Sequence, residues 1–163
     1  MASDVLGRVQ GWYLEAWQAR LRGKLGLVGA EPADQELAEG LLAVMRGERA
    51  DFTNTFRSLG AIAAGSAVLP PAFGSWIRDW QVRLGRDQQE GLPERLRLAN
   101  PAFIPRNHQV ERALAAAVRE GDLAPFRRLH EVLRRPFDDQ PGASEYGVPP
   151  RPEERISHTF CGT

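Results

Sequence analysis

The sequence predicts an all-α fold of about six or seven short amphipathic helices, closed by an irregular proline-rich C-terminal tail. Apolar residues recur at three- and four-residue spacing along most of the first 135 residues, which is the helical period. No segment shows the strict apolar–polar alternation of a half-buried strand. Pro136, Pro141, Pro149, Pro150 and Pro152 then fall within 17 residues, too dense for a helix. The expected organisation is a helical domain over 1–135 and an extended tail over 136–163.

Each element has its own warrant. Val5, Val9, Tyr13, Ala16, Trp17 and Leu21 form one apolar stripe on a first helix, which Gly23 and Gly26 are expected to stop. Pro32 suits the opening of a second helix, with Leu37, Leu41, Leu42 and Met45 facing inward. Asp51 can cap a third by accepting a free backbone N–H, with Phe52, Phe56 and Leu59 on its apolar side. The small residues from Ala61 to Pro71 read as a connection, and Pro70-Pro71 opens a fourth helix carrying Phe73, Trp76, Ile77, Trp80 and Leu84.

Gly91-Leu92-Pro93 breaks the pattern before a short helix around Leu96. Pro101 biases Asn100 away from helical dihedrals, so Asn100-Pro101 is a turn. Asn107 is expected to cap a sixth helix bearing Val110, Leu114 and Val118 on one face. Gly121-Asp122 makes a tight break. Asp122 then caps a seventh helix, with Pro125 in its first turn and Phe126, Leu129, Val132 and Leu133 on the buried side.

Composition narrows the function classes. The 21 basic and 21 acidic residues balance, which argues against broad electrostatic capture of nucleic acid or an anionic membrane. The weakly polar run Ala61–Leu69 is too short to span a bilayer, and no cationic segment precedes an apolar stretch at the N-terminus. One cysteine cannot form an internal disulfide and suits a reducing compartment, so an intracellular location is expected.

Candidate chemistry is sparse. Cys161 follows His158 closely, but a nucleophile or metal site needs a rigid frame, and this pair ends a proline-rich tail. His108, His130 and Cys161 lack zinc-ligand spacing. Arg127, Arg128, Arg134 and Arg135 are interrupted by Leu129, Val132 and Leu133, which marks a solvated helix side. There is neither a GxGxxG nor a GxxxxGK[ST] phosphate loop. Asp138-Asp139 could meet a divalent cation, although adjacent acids before a proline are usually just solvated. No self-sufficient active site is expected.

Three stretches are more specific than helical periodicity requires: Lys24-Leu25-Gly26-Leu27, Asp51-Phe52-Thr53-Asn54-Thr55-Phe56-Arg57, and Asn100-Pro101-Ala102-Phe103-Ile104-Pro105-Arg106-Asn107. Gly121-Asp122, Arg135-Pro136-Phe137-Asp138-Asp139-Gln140-Pro141 and a terminal Cys161-Gly162-Thr163 follow in order. From about residue 5 to its end, the sequence resembles the C-terminal part of the selenoprotein O (YdiU) family. Pro105 is a departure, since relatives more often carry leucine before the Arg-Asn pair.

That resemblance implies a protein-kinase-like fold, inverted binding of ATP, and Mg²⁺- or Mn²⁺-dependent transfer of AMP to hydroxyl side chains of proteins. It also implies that the nucleotide- and metal-binding residues lie upstream of the matched region, so none is carried over here. Asp51, Asn54, Arg57, Asn100, Arg106, Asn107 and Asp122 are the matched motif residues, expected to cap helices and anchor carbonyls or carboxylates. Cys161 matches the family's terminal cysteine or selenocysteine, a redox thiol that in some relatives pairs with the catalytic lobe. The expected partner is that kinase-like lobe, or another protein, across exposed apolar helix faces, with self-association of the isolated chain. The competing expectation is a free-standing helical interaction module.

Overall fold

The computed structural model describes residues 2–87 and 90–155. Among them are seven α-helices and no strand. The chain divides into two compact units, one ending at Asn100 and one beginning at Pro101.

The first unit holds α1 (Ala2–Lys24), α2 (Asp34–Glu48), α3 (Phe52–Ala63), α4 (Gly74–Leu84) and α5 (Leu92–Ala99), with a 3₁₀ turn at Pro71–Phe73 leading into α4. α3 packs on α5, α2 on α4, and α1 on both α2 and α5. Leu25, Leu41, Phe56, Leu59, Trp80 and Leu96 are the fully buried centre. α3 runs to Ala63, into the stretch that small residues marked as a connection. Buried Ile62 pulls that turn onto the core, and Gly65 at φ +69° ends it.

Gly26, rather than Gly23, terminates α1. Its φ of +76° allows Leu27 N–H to reach back to the Arg22 carbonyl at 3.0 Å, satisfying an orphan acceptor. A Cβ at Gly26 would stand 2.6 Å from Leu92 Cδ1 and 3.0 Å from Leu96 Cδ2, so glycine also permits the approach of α5. A Cβ at Gly23 would meet nothing within 4 Å, and this residue lies inside the helix.

The second unit pairs α6 (Asn107–Glu120) with α7 (Ala124–Leu133). Its small core is Phe103, Val132 and Ala143. Residues 136–155 form no α-helix and contain two 3₁₀ turns, Ser144–Gly147 and Pro152–Glu154. They are tied in closely. The Pro136 carbonyl accepts from Ala102 N (2.7 Å) and Phe103 N (3.1 Å), while Gln140 Nε2 donates to the Val132 and Arg135 carbonyls at 2.9 and 2.8 Å. The boundary expected at 135/136 therefore falls inside this unit. Proline content reports backbone conformation, not where contacts thin out.

Several faces expected to be buried are exposed. Leu114 and Val118 on α6 and Phe126 on α7 face solvent, leaving Leu129 and Val132 to make the buried side with half-buried Leu133. No helix of the described residues is long and apolar enough to cross a membrane.

Candidate functional site

The specific sequence stretches of the first unit meet at one place, the junction of the α1 C-terminus with α3 and α5. Asn100, fully buried, ends α5 in an extended conformation that suits its position before Pro101. Its Nδ2 donates to the Lys24 carbonyl at 2.9 Å and the Leu96 carbonyl at 3.0 Å. The Lys24 carbonyl sits in the last turn of α1, where no intrahelical donor is available, while the Leu96 carbonyl also accepts from the Asn100 backbone N–H at 3.1 Å. Its Oδ1 accepts from Lys24 Nζ at 3.3 Å, and the same ammonium reaches the Ala99 carbonyl at 3.4 Å.

Arg57 completes the arrangement from α3. Its guanidinium donates to the Arg97 carbonyl at 3.0 Å and the Asn100 carbonyl at 2.9 Å. Lys24 Nζ also lies 5.7 and 5.5 Å from the ring centroids of Phe52 and Phe56, which are 4.6 Å apart. Phe52 is thus held at the edge of this junction, largely exposed, and not in the core where its period places it. Burial lowers the Lys24 pKa from its ordinary value. Asp51 caps α3, its Oδ1 accepting from Asn54 N at 2.9 Å. Polar motif residues are thus committed to helix ends and to one another's backbone.

Replacing Asn100 with alanine strips the Lys24 carbonyl of its buried donor, while the Leu96 carbonyl keeps the backbone N–H of residue 100. The expected loss is about 1–3 kcal/mol, the cost of one buried group left unsatisfied. Trp12, Trp17, Trp76 and Trp80 all lie in the first unit, so urea unfolding followed by tryptophan fluorescence reads this unit alone. A loss below about 1 kcal/mol would mean that the Lys24 carbonyl finds another donor.

The motif residues of the second unit sit differently. Arg106 is buried. Asn107 is the first residue of α6 and makes no capping bond, contrary to the expected role. Arg106, in extended conformation after Pro105, occupies the capping position, and its carbonyl accepts from Gln109 N and Val110 N. Asp122 acts one residue outside the expected place: its Oδ1 accepts from Ala124 N at 2.8 Å, with Leu123 between them. His158 and Cys161 lie outside the described residues.

His108 is buried, and burial leads the causes that lower its pKa, aided by Arg112 and Arg106 and opposed by Glu154. Glu154 bonds to Arg151 and has its carboxyl held down to about 2, chiefly by that side chain. Arg127, Arg128, Arg134 and Arg135 are exposed, as their pattern implies, and Arg128 pairs with Glu131 at 3.1 Å. Among the described residues no three His, Cys, Asp or Glu side chains gather as a metal site.

Sequence reasoning missed one cluster. Arg83 on α4 is buried; it donates to Asp34 at 2.7 Å through Nε and to the Gly29 carbonyl at 3.1 Å through Nη2, and its Nη1 lies 3.0 Å from the Asp87 carboxylate as an ion pair. Glu31 lies 3.4 Å away and also pairs with Arg86 at 2.6 Å. The Asp34 bond raises the Arg83 pKa against the effect of burial. Burial works against the Asp87 carboxylate, but the Val28 N–H, Arg83 and the Gly29 backbone outweigh it and hold its pKa below the ordinary value. The only local signal is the four-residue spacing of Arg83 and Asp87.

The family model described as protein adenylyltransferase SelO matches residues 3–134. Similar curated proteins carry the name protein nucleotidyltransferase YdiU. The one from Bradyrhizobium sp. (strain ORS 278) is 48% identical, over 99% of this chain and 35% of the relative. That from Rhizobium leguminosarum bv. trifolii is 46% identical, over 90% of this chain and 32% of the relative. That from Rhizobium meliloti is 40% identical, over the whole of this chain and 36% of the relative. The chain thus spans about a third of the length of these curated relatives. With the family match covering most of its length, the chain belongs to the SelO family.

Proposed function

We propose that this chain is the C-terminal helical segment of a SelO-type protein adenylyltransferase, a bracing and regulatory piece without an active site of its own. The observation that carries the reading is the fate of the motif side chains. Asp51, Arg57 and Asn100 satisfy backbone groups at helix ends, which is a structural use of polar residues. A match confined to about a third of each relative supports it. So does the exposed apolar face of the second unit, where Leu114, Leu123 and Phe126 await a covering surface.

In this reading ATP and Mg²⁺ or Mn²⁺ belong to the remaining two thirds of the intact enzyme, a kinase-like lobe that this segment braces in the bacterial cytoplasm. The segment's contribution is positional: it holds helix ends and presents apolar faces against which a lobe can pack.

The test is a chimera of the Bradyrhizobium relative in which its matching third is replaced by this chain. Incorporation of AMP from labelled ATP into protein is the readout, with the 163-residue chain run alone in parallel. The chimera is expected to transfer AMP and the chain alone to be inert. ATP bound by the isolated chain at micromolar affinity, or a folded but inactive chimera, would overturn the proposal.

A further inference from the structure

The two sides of the second unit differ sharply in burial. Leu129 and Val132 of α7 and Ala113 of α6 face inward, whereas Leu114, Val118 and Phe126 are 46%, 83% and 49% exposed. Between the helices runs a groove of about 170 Å³ whose lining is almost wholly apolar. Buried Ala113 and Leu129 form its floor, Val110 and Leu114 one wall, and Phe126 and Leu133 the other. Phe126 stacks on His130, with ring centroids 6.3 Å apart and planes within 7° of parallel, which braces that second wall.

Building on the reading of this chain as a segment of a longer enzyme, we infer that an acidic amphipathic helix from the remaining two thirds of the intact protein lies in this groove. Shape calls for a helix. Val110, Leu114 and Val118 stand at four-residue steps on α6, and Phe126, His130 and Leu133 at steps of four and three on α7, so two ridges border one channel. An amphipathic helix fills such a channel with apolar side chains at i, i+3 or i+4, and i+7. Charge calls for acid on one flank. Arg127 and Arg134, three before and four after the lining residue His130, share the outer rim of α7. Both are exposed, and neither has an ion pair with another described residue, whereas Arg128 is paired with Glu131. Glu111 stands on the opposite, α6 rim, so the positive border is one-sided. A helix with Asp or Glu toward α7 meets both guanidiniums, and a basic one is repelled by them.

Size decides the source. Leu114, Val118, Leu123 and Phe126 are the large exposed apolar side chains of α6, α7 and their connection, too few for the ~1,200 Å² that a specific contact between separate molecules buries. A segment of the same polypeptide needs no such area, because tethering presents it at roughly millimolar effective concentration.

Alkylation of a thiol placed in the groove tests this. Leu114→Cys is combined with Cys161→Ser in the isolated chain and in the Bradyrhizobium chimera, and maleimide reaction at position 114 is followed by peptide mass spectrometry. Labelling should be about tenfold slower in the chimera, as for an intrinsic affinity near 100 μM against a millimolar effective concentration. Arg127→Glu with Arg134→Glu should return it toward the isolated rate, and Arg127→Lys with Arg134→Lys should leave it slow. Equal rates in the two proteins, or protection that survives charge reversal, would overturn the inference. So would slow labelling already in the isolated chain, which would mean that a second copy or another part of this chain covers the groove. A chimera that transfers AMP while position 114 labels freely sinks this inference alone. Protection at position 114 in an inactive chimera sinks only the adenylyltransferase assignment. If the chimera does not fold, a synthetic leucine–glutamate helix of about five turns and its leucine–lysine counterpart are titrated against the isolated chain by calorimetry. Tighter binding of the glutamate peptide supports the inference, and equal or weaker binding overturns it.

Discussion

Replacing Trp80 with alanine is expected to destabilise the first unit by about 3–5 kcal/mol, as is usual when a buried tryptophan is removed from a packed core. Trp80 is fully buried, and its indole lies nearly parallel to Trp76, with centroids 5.6 Å apart and an interplanar angle of 13°. The loss has two parts. The cavity forfeits the apolar burial around Leu25, Leu41 and Leu84, and the Leu25 carbonyl loses the indole N–H that reaches it at 2.9 Å. Trp80→Phe keeps most of the volume but still strips that carbonyl, so it should cost roughly 1–3 kcal/mol. Urea midpoints by far-ultraviolet circular dichroism order the three proteins. Equal stability of the alanine and phenylalanine variants would show that cavity volume plays no part.

Much of this core is legible in the sequence because helical periodicity and large side chains coincide there. Trp76, Trp80 and Leu84 recur at four-residue spacing, and all three are buried. Asp51 is equally legible, because an N-cap is a local interaction within four residues of chain. Asn107 shows the limit of that logic. Asparagine is a good cap, but the extended backbone at Arg106 already sets the first helical residue, leaving Asn107 inside the helix.

Periodicity also cannot say how much of an apolar stripe meets the core. Of the α1 stripe through Val5, Val9, Tyr13, Ala16, Trp17 and Leu21, only Leu21 is buried, and Leu14 on the other side of the helix is as exposed as Val5. The convergence of Lys24, Arg57 and Asn100 is invisible for a different reason. The hydrogen bonds that bring its parts together join residues 40–76 positions apart, and all three side chains bind carbonyls, which carry no residue identity. The motifs point to the right residues without revealing that they meet.

Removing Arg83 is the other large expected effect, and its size depends on what is removed with it. Arg83→Ala should cost about 3–5 kcal/mol, because it leaves Asp34, itself buried, with an uncompensated charge. Arg83→Lys should recover only part of this, since one ammonium cannot reproduce the fork that spans Asp34, Asp87 and the Gly29 carbonyl. Substituting both members of the pair, as Arg83→Met with Asp34→Leu, should cost less than Arg83→Ala alone, because no buried charge is stranded. Acid adds an independent check. The folded pKa of Asp87 lies below its ordinary value of 3.8, so its stabilisation is complete above that pH and fades as pH falls further. Arg83→Ala should flatten that acid limb in urea unfolding. A steep limb surviving in the variant would mean that the Val28 and Gly29 N–H groups, rather than the guanidinium, hold the Asp87 proton off.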